Sequence, residues 1–202
     1  MNKILVWDLP TRIGHWLLAS AFIVAFLSGD SEEWRLIHVG AGYAVAGVLA
    51  FRLFWGMAGT RYARFKSFLF SPRQVFIYLG GLLKNNPAHW IGHNPAGSYA
   101  IYALILLGAS VVGSGWAVYV DIGGEWLQET HDALSYAMLG IVGIHVLGVV
   151  ISSRMHRENL VRSMVTGYKQ GKEADAIPSN KKYWVALLFA SVVSASLLGL
   201  IS

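Results

Sequence analysis

Five long apolar runs constrain this chain more than any other feature, because each has the length that crosses a bilayer as a helix. They extend approximately from Ile13 to Gly29, His38 to Met57, Ser98 to Val120, His131 to Ser153 and Tyr183 to Ile201. About 20 such residues span roughly 30 Å of hydrocarbon, where a helix satisfies its own backbone N–H and C=O groups. With 55% hydrophobic and 13% charged residues among 202, a soluble globular domain is a poor fit. The first run is not read as a cleaved signal peptide: Asp8 and Arg12 flank it, His15 and Trp16 lie within it, and no small-residue cleavage site follows Gly29. It is expected to be retained.

Charge placement gives a topology. Lys3 and Arg12 precede the first run, Arg61, Arg64, Lys66, Arg73 and Lys84 separate the second from the third, and Arg154, Arg157, Arg162, Lys169, Lys172, Lys181 and Lys182 follow the fourth. The other two loops hold Arg35 as their only base beside Asp30, Glu32, Glu33, Asp121, Glu125 and Glu129. The positive-inside rule then puts the N-terminus in the cytoplasm. Topology accounts for the basic loops, so nucleic acid is not an expected partner. The chain has no cysteine, which excludes disulfides, iron–sulfur clusters and covalently attached c-type haem.

Locally, Asp8 is expected to cap the first helix, with Pro10 in its first turn. The stretch "SPRQVFIYLGGLLKNN" has apolar residues at helical spacing and reads either as an amphipathic helix on the cytoplasmic surface or as an ordered loop. "RENLVRSMVTGYKQGKEADAIPSNKK" begins helical and becomes a polar linker.

Four histidines lie in or at the ends of apolar runs: His15, His38, His131 and His145. Buried ionisable groups in a span carry a large solvation penalty and point to function. His145 follows His131 by 14 positions, which turn a helix through about 1400° and raise it about 21 Å, so the two share a face at opposite depths. Chain direction places His15 at the depth of His145, and His38 at the depth of His131. Two pairs at matched depth, each from different helices, meet the requirement for two bis-histidine, noncovalent b-type haems. A neutral imidazole gives Nε2 to iron while its Nδ1–H bonds a carbonyl. Gly40, Gly42, Ala46, Gly47, Gly140 and Gly143 would let a flat ring approach the backbone, or serve as ordinary small-residue helix packing. Trp16, Phe22, Trp55 and Tyr102 are candidates to line it, and Arg12, Arg52, Arg154 and His156 to balance a propionate or to snorkel toward lipid headgroups. His89, His93 and His156 are expected to face solvent, lipid or a propionate rather than ligate iron.

The segments "VWDLPTRIGHW", "RLFWGMAGTRYARF", "SPRQVFIYLGG", "GHNPAGSYAIYALILL" and "ETHDALSYAMLGIVGIHVLGVV" together resemble the prokaryotic cytochrome b561 family, which includes the b-type cytochrome subunits of nickel–iron hydrogenases. The resemblance runs in order over about residues 4 to 170. It implies a four-helix transmembrane bundle holding two haems, with ligand positions matching His15 and His145 for one and His38 and His131 for the other. It implies a bacterial inner-membrane location and electron transfer between the quinone pool and a redox partner such as a hydrogenase or a periplasmic c-type cytochrome. An electron-transfer subunit is expected rather than a complete enzyme, with Asp30, Glu32, Glu129 and Asp132 as candidate proton acceptors for a quinol. A homodimer is compatible with the resemblance, since membrane b-type subunits often pair.

The alternative is a stand-alone superoxide or quinone oxidoreductase. It would need a basic funnel on the outer side, where only Arg35 stands. A divalent-metal transporter would need the four histidines to converge, and the pairs are about 21 Å apart in depth. Residues 1–170 thus read as the diheme domain, 171–182 as a polar linker and 183–202 as an additional transmembrane helix. The added helix and an outer loop of only about eight residues (Asp30 to Ile37) depart from the basic bundle.

Overall fold

The computed structural model describes residues 2–201, so Met1 and Ser202, the outermost residues of the first and last expected segments, lie outside the described residues. Helices dominate. In chain order they are α1 (Leu9–Ser28), α2 (Arg35–Ala58), α3 (Pro72–Leu83), α4 (Pro95–Tyr119), α5 (Glu125–Met155), α6 (Leu160–Thr166) and α7 (Val185–Ile201). Two short strands, β1 (Asn2–Leu5) and β2 (Tyr168–Gly171), complete the order. Four helical segments, Leu9–Ser28, Glu32–Ala58, Pro95–Tyr119 and Glu125–Met155, are long and apolar enough to cross a membrane. The chain is an integral membrane protein of helical type. The fifth apolar run forms α7, which at 17 residues rises about 26 Å.

The chain divides into two units. One comprises Met1–Arg12, Phe54–Ala103 and Ile141–Lys182, the other Ile13–Leu53, Leu104–Gly140 and Tyr183–Ser202. The first unit is organised around Asp8, whose exposure is 0%. Its carboxylate accepts the Thr11 N–H at 2.9 Å, the N-cap bond expected from the sequence. It also accepts Trp55 Nε1–H at 3.2 Å to each oxygen and the Thr60 hydroxyl. A buried carboxylate is tolerated where such donors replace water, and here one side chain ties the start of α1 to the end of α2.

A clasp surrounds this anchor. β1 and β2 pair antiparallel with Asn2 opposite Gly171 and Leu5 opposite Tyr168. Gly167 accepts the N–H groups of Val6 and Trp7, and Ile177 donates its N–H to Leu5 O at 2.9 Å. Gly167 has φ +89, and a Cβ there would meet Trp7 O at 2.7 Å, so only glycine fits. Ile4, Val6, Trp7, Tyr62 and Ile177 bury one another beneath the ladder. Part of the stretch expected as polar linker is therefore packed, with Gly171 and Ile177 buried.

The clasp holds a polar cluster. Lys169, its side chain 3% exposed, pairs with Glu158 at 3.1 Å, and His89 Nε2 lies 3.5 Å from the same carboxylate. The His89 and His156 rings are 5.2 Å apart. Burial pushes the Lys169 ammonium below the ordinary lysine range, against the pull of Glu158. Between α2 and α4 the helical alternative is the one the chain adopts: Ser71 and Gln74 close a capping box at the start of α3. Phe76 at 73% and Leu83 at 87% exposure stand out from this helix, the apolar face an interfacial helix presents to lipid.

Replacing Asp8 with alanine strands the Trp55 and Thr60 donors, and is expected to cost about 2–4 kcal/mol of stability, read as a lowered Tm of the detergent-solubilised protein. The second expectation concerns pH. Burial first, then His89 and Lys169, hold His156 below the ordinary histidine range, with Glu158 opposing. A depressed pKa in the folded state means protonation favours the unfolded chain, so stability is full above about 6.5 and falls as pH drops through the histidine range. His156→Gln should flatten that decline in a series of Tm measurements from about pH 7 to 5.

Candidate functional site

The second unit brings His38 of α2 and His131 of α5 together, with ring centres 6.0 Å apart and planes at 86°. His38 stands about one turn into α2, whose short connection returns the chain beside the end of α1. There His38 Nδ1 lies 2.8 Å from Ala25 O. His131 Nδ1 lies 3.1 Å from Val111 O on α4 and 3.1 Å from the Ser114 hydroxyl oxygen. A carbonyl oxygen has no proton to give, so Nδ1 must be the donor in both rings. In a neutral ring, that tautomer leaves Nε2 with its lone pair available to a metal.

This donor set fits the expected group. Two imidazoles sharing one metal at ~2.0–2.1 Å from each nitrogen have ring centres no more than about 6.5 Å apart, a limit that the 6.0 Å here meets. Gly115 shapes the seat: a Cβ on it would stand 2.7 Å from His131 Cε1, so the ring packs on bare backbone. Gly40, Gly42, Gly113 and Gly140 have no atom within 4 Å of where a Cβ would stand, leaving backbone open to a flat ring or an acyl chain. Gly47 is used differently. A Cβ there would meet Val192 Cα at 2.6 Å and Ser191 O at 2.8 Å, and the Ser191 hydroxyl donates to Gly47 O at 2.9 Å. It is the close-approach point between α2 and α7.

His15 and His145 occupy α1 and α5, both half-buried. They fall in different units, and the pairing expected of them comes from depth and chain direction in the sequence. The His15 ring lies edge-on to Trp16 at 5.1 Å.

The cationic candidates are distributed differently. Arg12 donates from Nε and Nη2 to Val165 O at 3.1 and 2.7 Å, capping a terminal carbonyl of α6. Arg52 is half-buried on α2, and Arg154 is exposed in the last turn of α5. Arg154 lines a surface groove with Val149, Val150, Arg157 and Glu158. Among the aromatic candidates, Phe22 packs with Phe26, Trp55 serves Asp8, and the Tyr102 hydroxyl donates to Phe65 O. His93 sits between Trp7 and Phe68, at 4.7 and 4.4 Å between ring centres, rather than facing solvent. The carboxylates Asp30, Glu32, Glu129 and Asp132 are exposed, and the Arg35 guanidinium lies 6.0 Å from the centre of the Tyr119 ring.

Sequence reasoning missed Ser114 and Ala25. Neither carries a signal of its own, since a carbonyl acceptor on another helix is not encoded in residue type.

Known proteins supply independent findings. The family model described as "Prokaryotic cytochrome b561" matches residues 6–167. The chain is 23% identical to the probable Ni/Fe-hydrogenase B-type cytochrome subunit of Rhodobacter capsulatus, covering 85% of this chain and 83% of that protein. It is 25% identical to the protein of the same name from Azotobacter vinelandii, covering 85% and 90%. It is likewise 25% identical to the probable Ni/Fe-hydrogenase 1 B-type cytochrome subunit of Escherichia coli (strain K12), covering 83% and 91%. No solved structure matches the chain.

Proposed function

Because the chain belongs to the prokaryotic cytochrome b561 family, we propose that it is a diheme b-type cytochrome passing electrons between the quinone pool and a nickel–iron hydrogenase or another redox partner. The observation that carries this reading is the His38–His131 pair, 6.0 Å apart, with both Nδ1 atoms on backbone carbonyls. His15 and His145 would hold the second haem.

Haem iron, when bound, takes up and releases one electron at a time. The chain's own part is to hold and orient. His38 and His131 are fixed in rotation by Ala25 O and by Val111 O with Ser114, so both approach a metal in a set geometry. A quinol gives up protons along with its electrons, and the exposed Asp30, Glu32, Glu129 and Asp132 are bases at hand on the outer loops. Arg52 and Arg154 would neutralise propionates near the basic loops. The distribution of Lys and Arg supports an N-terminus in the cytoplasm and an inner-membrane location, and α7, docked at Gly47, would make a fifth crossing.

The purified full chain is expected to contain two extractable b-type haems per polypeptide, with a reduced-minus-oxidised spectrum that develops on adding a quinol. His131→Ala and His145→Ala should each leave one haem. Retention of both haems in either variant would contradict the pairing, and reduction by dithionite but not by quinol would remove the quinone pool from the account.

A further inference from the structure

The second unit contains one local device twice. In the segment Ala25–Gly29 the Ser28 hydroxyl donates to Val24 O at 2.7 Å and Ala25 O at 3.2 Å, and His38 Nδ1 bonds that same Ala25 O. In Val111–Gly115 the Ser114 hydroxyl donates to Ser110 O at 2.9 Å and Val111 O at 3.1 Å, and His131 Nδ1 bonds that same Val111 O. Each carbonyl is followed three residues later by serine and four later by glycine. The glycines face the rings: a Cβ on Gly29 would lie 3.5 Å from His38 Cε1, and one on Gly115 2.7 Å from His131 Cε1. Two imidazoles from different helices thus sit in matching Ser-Gly seats.

The seats differ in one contact. The Ser114 oxygen is itself 3.1 Å from His131 Nδ1. Its single proton is directed at the helix carbonyls of Ser110 and Val111, so a lone pair is left for the imidazole N–H. His131 Nδ1–H is then shared between two oxygens. A better-accepted Nδ1–H makes the imidazole a more basic ligand, and a more basic ligand favours the oxidised metal. At both seats the serine hydroxyl also donates to the carbonyl that accepts the histidine, Ser28 to Ala25 O at 3.2 Å and Ser114 to Val111 O at 3.1 Å. Only Ser114 offsets that competition by accepting the imidazole N–H itself, so Ser28 is left with the competing effect alone.

We propose that Ser114 is a positioning residue that lowers the reduction potential of the haem held by His38 and His131, by giving the His131 Nδ1–H a second acceptor. This rests on the ligand reading above. The residue touches neither iron nor substrate and acts only through His131.

The test is an optical redox titration of the full-length, haem-loaded protein in nanodiscs, with the two haems followed separately. Ser114→Ala is expected to move one midpoint to higher potential and leave the other in place, with both haems retained. Ser114→Thr, which keeps the hydroxyl, should stay at the wild-type value. Ser28→Ala should move the same haem the opposite way, since it frees Ala25 O for His38. Loss of that haem in Ser114→Ala with retention in Ser114→Thr would also support the hydroxyl's role, whereas loss in both variants would overturn it in favour of packing. Unmoved midpoints in Ser114→Ala, or equal shifts of the same sign in Ser114→Ala and Ser28→Ala, would overturn the inference while two bound haems in the wild type left the ligand reading standing. A wild-type protein without haem would instead sink the reading beneath it.

Discussion

An imidazole inside hydrocarbon has one N–H to satisfy, and a helical bundle offers almost nothing but the spare lone pairs of backbone carbonyls. The arrangement around His38 and His131 follows from that constraint. Ala25 O lies in the last turn of α1, where carbonyls lack an intrahelical partner. Val111 O lies mid-helix, and there the missing Cβ of Gly115 is what allows the ring to come within 3.1 Å of the carbonyl. Once Nδ1 donates, Nε2 is the ring nitrogen left to accept a proton or a metal. The same bond thus lowers the penalty of burying the ring and prepares it for metal.

The first unit meets a related problem with a carboxylate. Asp8 is shielded from water yet receives donors from α1, from Trp55 and from Thr60, so its charge is stabilised by groups that also fix where α1 begins. The clasp of β1, β2 and the segment around Ile177 encloses this anchor, and Arg12 closes a carbonyl of α6 beside it. In the second unit the corresponding fixed point is Gly47, where α7 approaches α2 closely enough that no side chain fits. Polar anchoring and small-residue packing are both local solutions to holding helices that have little hydrophobic drive to associate in lipid.

The parts of this architecture legible in the sequence are those written in periodicity and transfer energy. Four of the apolar runs became helices of spanning length, Asp8 became the N-cap, and His38 met His131 because depth and chain direction left few partners for either. What stayed hidden depended on distant pairing. β1 and β2 are four residues each, too short for alternation to register, and they lie at opposite ends of the cytochrome core sequence. Trp55 and Thr60 gave no sign of serving a carboxylate 47 and 52 residues away. Gly47 took the helix-packing one of its two readings, and its sequence could not say against which helix, because glycine encodes closeness without saying to what. The Ser-Gly seats were equally silent, since a serine bonding its own helix looks the same whether or not an imidazole arrives.

The central claim is that this chain presents paired neutral imidazoles to iron from different helices. Electron paramagnetic resonance and near-infrared magnetic circular dichroism of the oxidised protein test it directly, because they report axial ligands rather than haem content. The account predicts low-spin ferric signals of bis-histidine type for every haem present. High-spin iron, or a low-spin signature of histidine with methionine or another ligand, would contradict it.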